Sequence, residues 1–293
     1  MFWQQVVNAI WLGAVYSLFS LGYTLIFGVL GILNLAHPSI YMWGAFFGLM
    51  AVNNLGLPIW LALPVAMLAS GLMSVLLDRI AFKTLRDRNA PHLSTLISSI
   101  GASIVLVSAA QGFFGAQVSR FPFGIFPVHV FKIGSISITL LQVTILAISF
   151  AIMLFLRWLL LKTKLGQAMR AVAYNPKTAS RLGIPVDKVI MQTFFTAGAL
   201  AGAAGVLLGL AFNTISPFIG GPMNLKGLTV IVLGGLGNIE GAVLGAFILS
   251  FSEVMSVAYL SSDLRDAVSF ILLFVILLVR PNGLLGKTSE KSA

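Results

Sequence analysis

Five glycines, Gly234, Gly235, Gly237, Gly241 and Gly245, crowd into the stretch VLGGLGNIEGAVLGA at 232–246, with a single acid, Glu240, among them. Glycine-rich turns of this kind cradle phosphates in nucleotide-binding folds. The spacing excludes that use here. Gly235 and Gly237 are followed by Gly241, so GxGxxG fails by one residue, and no strand of a βαβ unit precedes the stretch. Neither GxxxxGKS nor GxxxxGKT occurs in the chain. Other chemistry is no better supplied. There is no cysteine, which excludes disulfides and thiolate metal sites. His37, His92 and His129 lie far apart and form no ligand pattern with a carboxylate. No nucleophile–base pair is evident. The residues point to a protein without catalytic, metal or cofactor sites of its own.

The elements that must position these residues belong in a bilayer. Of the 293 residues, 58% are hydrophobic and 9% charged, too few charges to cover a water-facing surface. Glycine is frequent, at 29 residues, as in closely packed membrane helices. The N-terminus, MFWQQVVNAI, has no basic residue before its apolar run, so no cleaved signal is expected and the first helix is retained.

A membrane-spanning helix needs about 20 apolar residues. The candidate spans are 6–33, 57–77, 95–115, 135–156, 189–212 and 267–279, with a shorter apolar piece at 39–52 and a long one at 223–251. The expected fold is all-α: one transmembrane domain over 1–293, a polytopic bundle of about eight helices. The 29 residues of 223–251 are too few for two full crossings. They are read as a re-entrant pair or as two short tilted helices joined at the glycine cluster. Broken backbone at membrane depth survives only where protein or a water-filled cavity covers it. Gly235, Gly237, Asn238 and Glu240 are therefore candidates either for helix packing or for a translocation path. Asn34, His37 and Pro38 break a second apolar run. Asn34 and His37 either line a path or form a satisfied break pair. Paired interruptions in two halves point to inverted repeats.

The net charge of +10 does not point to nucleic acid, because of where the charges lie. Fourteen of the eighteen basic residues fall in the 78–93 loop, the 157–188 loop and the tail after Val279, the tail contributing Arg280, Lys287 and Lys291. The positive-inside rule puts these regions in the cytoplasm. The 116–134 loop and the 252–266 loop, which holds Glu253, Asp263 and Asp266, should face out. The N-terminus is then outside and the C-terminus inside. Seven spans satisfy that parity if 223–251 enters and leaves on one side. Lys226 is read as snorkelling to head groups. Glu240, the one acid in a candidate buried position, is read as favouring the start of a helix at Gly241 or as facing a cytoplasmic cavity.

The 157–188 loop has the most definition. Residues 167–173 can form a short helix. Asn175 can cap a second one with Pro176 in its first turn. Lys177, Thr178, Ala179, Ser180, Arg181 and Leu182 continue it, Gly183 can end it in left-handed geometry, and Pro185 prevents resumption. Asp187 can cap the next membrane helix. Such a stopped helix suits a docking element for a cytoplasmic partner, or an interfacial segment held by anionic lipid.

Four stretches, AVYSLFSLGYTLIFGVLGILNLAHPSIYMWGA at 14–45, the 164–185 loop, VIVLGGLGNIEGAVLGA at 230–246 and LLVRPNGLLG at 277–286, resemble in order the permease subunits of branched-chain amino acid ABC importers. Urea, amide and neutral amino acid importers share this permease type. The resemblance implies a homologous second permease, two cytoplasmic ATPase subunits, an extracytoplasmic substrate-binding protein, a bacterial inner-membrane location and alternating access driven by ATP. It implies that the Asn175 to Gly183 segment is the coupling helix. Pro38 stands where many relatives carry glycine, and Tyr174 where an acid is common. An ion-coupled secondary transporter would place paired acids or a proton-relay histidine in the membrane, and Glu240 alone is a thin basis for one.

Overall fold

The computed structural model describes residues 1–286 apart from residues 89, 128 and 135, so Lys287 and Lys291 lie outside the described residues. Twelve α-helices are present among them: α1 (Phe2–Leu30), α2 (His37–Asn53), α3 (Ile59–Leu77), α4 (Lys83–Asp87), α5 (His92–Phe114), α6 (Leu140–Lys162), α7 (Lys164–Tyr174), α8 (Pro176–Arg181), α9 (Val186–Phe212), α10 (Gly220–Gly234), α11 (Ile239–Tyr259) and α12 (Leu264–Val279). A π-helical turn, Asp78–Phe82, joins α3 to α4 without a break. The all-α expectation needs one amendment. Strands β1 (Val130–Ile133) and β2 (Ile136–Thr139) form an antiparallel hairpin before α6. The span expected at 135–156 is accordingly displaced, because a short alternating strand and a helix look alike in an apolar window.

Among the described residues, six helices are long and apolar enough to cross a membrane. Helices α2, α10 and α12 have 17, 15 and 16 residues and fall short of that length. The apolar run at 223–251 proves to be part of a longer unit, α10–turn–α11, that reaches Tyr259.

Helices α1 and α9 are apolar all round and occupy the centre, whereas α5 and α6 are peripheral. Small residues let the backbones close up. A Cβ added at Gly198 of α9 would lie 2.6 Å from the Ser70 carbonyl oxygen of α3, and one added at Gly205 would strike the Tyr41 carbonyl of α2. The packing has an internal exchange. Helix α1 packs on α11, and α9 packs on α3, so the first helix of each triplet α1–α2–α3 and α9–α10–α11 rests on the third helix of the other. The central pair runs antiparallel, with Trp11 beside Phe212 and Gly22 beside Ala197. The two triplets therefore have opposite directions, in line with the paired interruptions in the sequence.

At the glycine cluster the close approach is between Gly234 and Gly241, where a Cβ on Gly241 would strike the Gly234 carbonyl. Gly237 makes a different demand. Its φ is +80°, but a Cβ there would meet only ordinary contact, 3.6 Å from Gly28 Cα. Gly241→Val should therefore destabilise the fold by overpacking, by ~1–3 kcal/mol. Gly237→Ala should cost less, about the 1–2 kcal/mol of a left-handed L-residue. Thermal unfolding of the purified full chain in detergent checks the order; equal midpoints for the two variants would contradict this packing.

Candidate functional site

Helices α7 and α8 form a compact pair at the end of α6. Thr163 opens α7, its Oγ1 accepting the Gly166 N–H at 3.2 Å. Arg170 donates to the Leu160 carbonyl, folding α7 back against α6, and Met169 and Val172 are buried beneath it. Asn175 then caps α8, with its Oδ1 accepting the Thr178 N–H at 3.0 Å and Pro176 in the first turn. At the far end the Ile184 N–H donates to the Ala179 carbonyl across Gly183, whose φ is +83°. That is a Schellman stop, and it needs the left-handed glycine. The cap at Asn175 and the stop at Gly183 are therefore present at the expected residues.

Among Asn175, Pro176, Lys177, Thr178, Ala179, Ser180, Arg181, Leu182 and Gly183, only Ala179 is buried. Tyr174 and Leu182 are exposed apolar side chains, 94% and 76%. Beside α8 opens a cleft of about 930 Å³ whose charged lining is Arg79, Lys177, Arg181, Lys188 and Asp187. Helix α8 is thus held firmly by its ends, and the charges on its outer surface, Lys177 and Arg181, are both basic.

Asp187 does not cap α9. Pro185 holds that position, and Asp187 lies in the first turn, where it faces α4. Arg86 bridges the two elements, 3.0 Å from buried Asp78 and 3.4 Å from Asp187, with Lys83 3.9 Å from Asp187. This network, which nothing in the local sequence pattern signals, ties the base of α3–α4 to the base of α9.

The break before α2 lies beside the middle of α1. The His37 ring packs between Phe19 and Tyr23, centroids 5.0 and 5.2 Å away, and its Nε2 is 3.3 Å from the Phe19 carbonyl. Asn34 Oδ1 accepts the Ala36 N–H, and the Leu35 N–H donates to Ser99 Oγ. Both Asn34 and His37 are buried where the chain breaks before α2. Helix α10 starts against the same spot, for a Cβ on Gly220 would lie 2.8 Å from the Pro38 carbonyl. From there α2 runs toward the hairpin end, where Phe46 stacks on Phe114. Helix α10 runs the other way, toward the turn at Gly237 beside Gly28.

At that turn the cap is Asn238, not Glu240. Asn238 Oδ1 accepts the Gly241 N–H at 2.9 Å, and its Nδ2 donates to the Leu285 carbonyl at 2.7 Å. Glu240 is exposed in the first turn of α11, a favourable place for a negative charge. Gly235 packs instead against the tail, a Cβ there falling 2.6 Å from Gly286 N, and the Leu284 and Leu285 N–H groups donate to the Leu233 and Gly234 carbonyls. The four glycine-cluster residues do not meet Asn34 and His37; the full length of α10 separates the two breaks.

Glu253, expected in an outer loop, is fully buried in α11. Lys226, expected to snorkel, is also buried and forms an ion pair with it. Tyr16 Oη donates to Glu253 Oε2 at 2.7 Å and accepts from Lys226 Nζ at 3.1 Å. A pattern was available, since Leu249, Ser250, Glu253 and Ser256 recur at helical spacing, carrying the helix past the end of the apolar run at 251. Breaking a buried pair by neutralising one partner leaves the other charge uncompensated, which costs ~3–5 kcal/mol. Lys226→Met should therefore destabilise the chain more than the double change Lys226→Met, Glu253→Gln does, measured by thermal unfolding. A double variant no better than the single would deny the coupling.

A family model described as branched-chain amino acid transport system / permease component matches residues 5–277. The high-affinity branched-chain amino acid transport system permease protein LivH of Salmonella typhimurium is 38% identical over 297 residues, covering 98% of this chain and 96% of that one. BraD of Pseudomonas aeruginosa, a protein of the same description, is 34% identical, covering 97% and 95%. Among solved structures, PsaBC from Streptococcus pneumoniae in complex with Fab aligns with a TM-score of 0.51 at 11% identity, covering 94% of this chain and 91% of that one, a likeness of fold alone.

Proposed function

The chain belongs to the branched-chain amino acid transport permease family, and from that premise we propose that it is the membrane-spanning subunit of an ATP-binding cassette importer. Its cargo is a neutral, branched-chain amino acid, carried to the cytoplasm by alternating access. It works with a homologous second permease, two cytoplasmic ATPases and an extracytoplasmic binding protein, in a bacterial inner membrane. Urea or a short amide is the other cargo class for this permease type. Relatives of this kind are transport permeases rather than enzymes, and the energy enters from outside the chain.

The observation that carries this reading is α8. It is six residues long, too short to be stable alone in water, yet it is capped at both ends, seated through Ala179 and exposed on every other residue. Arg181 and Lys177 on its surface suit carboxylates on an ATPase, Arg181 in bidentate fashion. In the cycle, ATP binding closes the ATPase dimer, α8 moves with it, and the base of α9 follows. The Arg86–Asp187 bridge carries the displacement to α3–α4. The Lys226–Glu253 pair is the one observation that favours an ion-coupled carrier, because membrane-buried acids serve such relays. Here the acid is already matched by a lysine and a tyrosine, which suits a fixed strut between α1, α10 and α11.

The orientation has the N-terminus outside and α7–α8 in the cytoplasm. A cysteine introduced at Ser180 should resist an impermeant maleimide in intact cells and react in inverted vesicles. Labelling from outside would reverse the topology. Coupling has its own test, in which a β-branched residue at Gly183 disfavours the left-handed stop by roughly 1–2 kcal/mol. Gly183→Val with Arg181→Glu should leave membrane insertion intact and lower both ATPase co-purification and ATP-dependent uptake of labelled leucine at least several-fold. Unchanged co-purification and uptake would end the assignment of α8 as coupling helix. Uptake that follows an ion gradient without ATP would favour the carrier instead.

A further inference from the structure

On the flank formed by α6, α1 and α11 an apolar groove of about 460 Å³ opens to the surface. Leu21, Phe150, Met153, Leu154 and Val243 form its wall. One end carries Arg157, near the end of α6, and Glu240, in the first turn of α11. Among the described residues neither is in an ion pair, with the other or with anything else. Asn238, at the same end, already has both halves of its amide engaged. Two opposite charges thus stand apart at the mouth of an apolar groove, at the level where α6 leaves the apolar layer and α11 enters it.

That arrangement is complementary to a zwitterion with a long apolar tail. An anionic head group would satisfy Arg157 but be repelled by Glu240. A free amino acid has the right charges but too short a tail, because the lining extends from Phe150 to Leu161 along α6, roughly 16 Å at 1.5 Å per residue. The surrounding face is one that meets hydrocarbon, with Phe150, Leu154 and Leu161 exposed by 44%, 63% and 52%. We propose that this groove is a binding site for a zwitterionic glycerophospholipid with a primary ammonium head group, phosphatidylethanolamine. The phosphodiester sits on the Arg157 guanidinium, the ammonium on the Glu240 carboxylate, and one acyl chain in the groove. The site depends on the membrane placement of α6 and α11, not on the coupling role of α8 or the identity of the cargo.

The test is native mass spectrometry of the delipidated full-length permease, with whatever subunits co-purify. It is titrated with phosphatidylethanolamine, phosphatidylglycerol of the same acyl chains, and free leucine. Wild type should bind phosphatidylethanolamine at least tenfold more tightly than phosphatidylglycerol. Glu240→Gln should erase that preference, Arg157→Gln should weaken both lipids, and Met153→Trp, which fills the groove, should weaken both without changing their ratio. Both charged side chains are exposed, so Arg157→Gln and Glu240→Gln should keep an unfolding midpoint close to that of wild type. Equal binding of the two lipids by wild type, or a preference that survives Glu240→Gln, would overturn the proposal. So would free leucine displacing the lipid from wild type but not from Arg157→Gln, which would assign the groove to an amino acid.

Discussion

In hydrocarbon every backbone N–H and carbonyl must find its partner within the protein, and this chain interrupts its helices at 31–36, 213–219 and 235–238. Each interruption is closed in its own way. Asn34 and Ser99 serve the first. The second borrows a strand partner, Ser119 and Ile215 exchanging backbone hydrogen bonds at 2.7 and 2.9 Å while Asn213 Oδ1 accepts from Phe121. The third is met by Leu284 and Leu285 of the tail, which return to α10 and accept no substitute at Gly235 and Gly283 without a clash. Much of the rest follows. The glycine pairs exist because the strands of backbone that close these breaks must lie nearly in contact, and dispersion over close surfaces replaces the hydrophobic drive that lipid does not supply.

The parts of this arrangement governed by local rules were legible in the sequence. Asn175, Pro176 and Gly183 specify α8 because a cap, a fixed φ and a left-handed stop each act within a few residues. Asn34 and Pro38 marked a true break for the same reason. What escaped was set by distance. Glu253 and Lys226 are 27 residues apart on different helices, and hydropathy scores each as a charge to be excluded; only their meeting inside the bundle makes burial tolerable. Glu240 looked like the buried acid because it lies in an apolar context, while the cap went to Asn238, whose short amide reaches the Gly241 N–H. The glycine-rich stretch announced close packing but not its partner, since Gly283 and Gly286 come from the tail.

Helix α2 and helix α10 begin at one level and depart in opposite directions, which puts the positive ends of two helix dipoles together at the heart of the bundle. His37 and Asn34 sit at this meeting point, each with one nitrogen unpartnered among the described residues. Among the described residues no buried acid neutralises the spot; Glu253 is engaged elsewhere with Lys226 and Tyr16, and Asp78 with Arg86.

Between the end of α8 and the start of α9 there are four residues, of which one is the Schellman glycine and one a proline. Such a joint has almost no slack. A bearing with play absorbs small strokes, whereas under the coupling role proposed for α8 this one would pass its displacement straight into α9, the helix that touches α1, α2 and α3 at once. Stiffness of that kind makes the bundle respond as a lever rather than a spring. Under the proposed cycle the timing of the two ends of the molecule would be set by that geometry, and a lengthened 182–185 segment would leave both ends working but out of step.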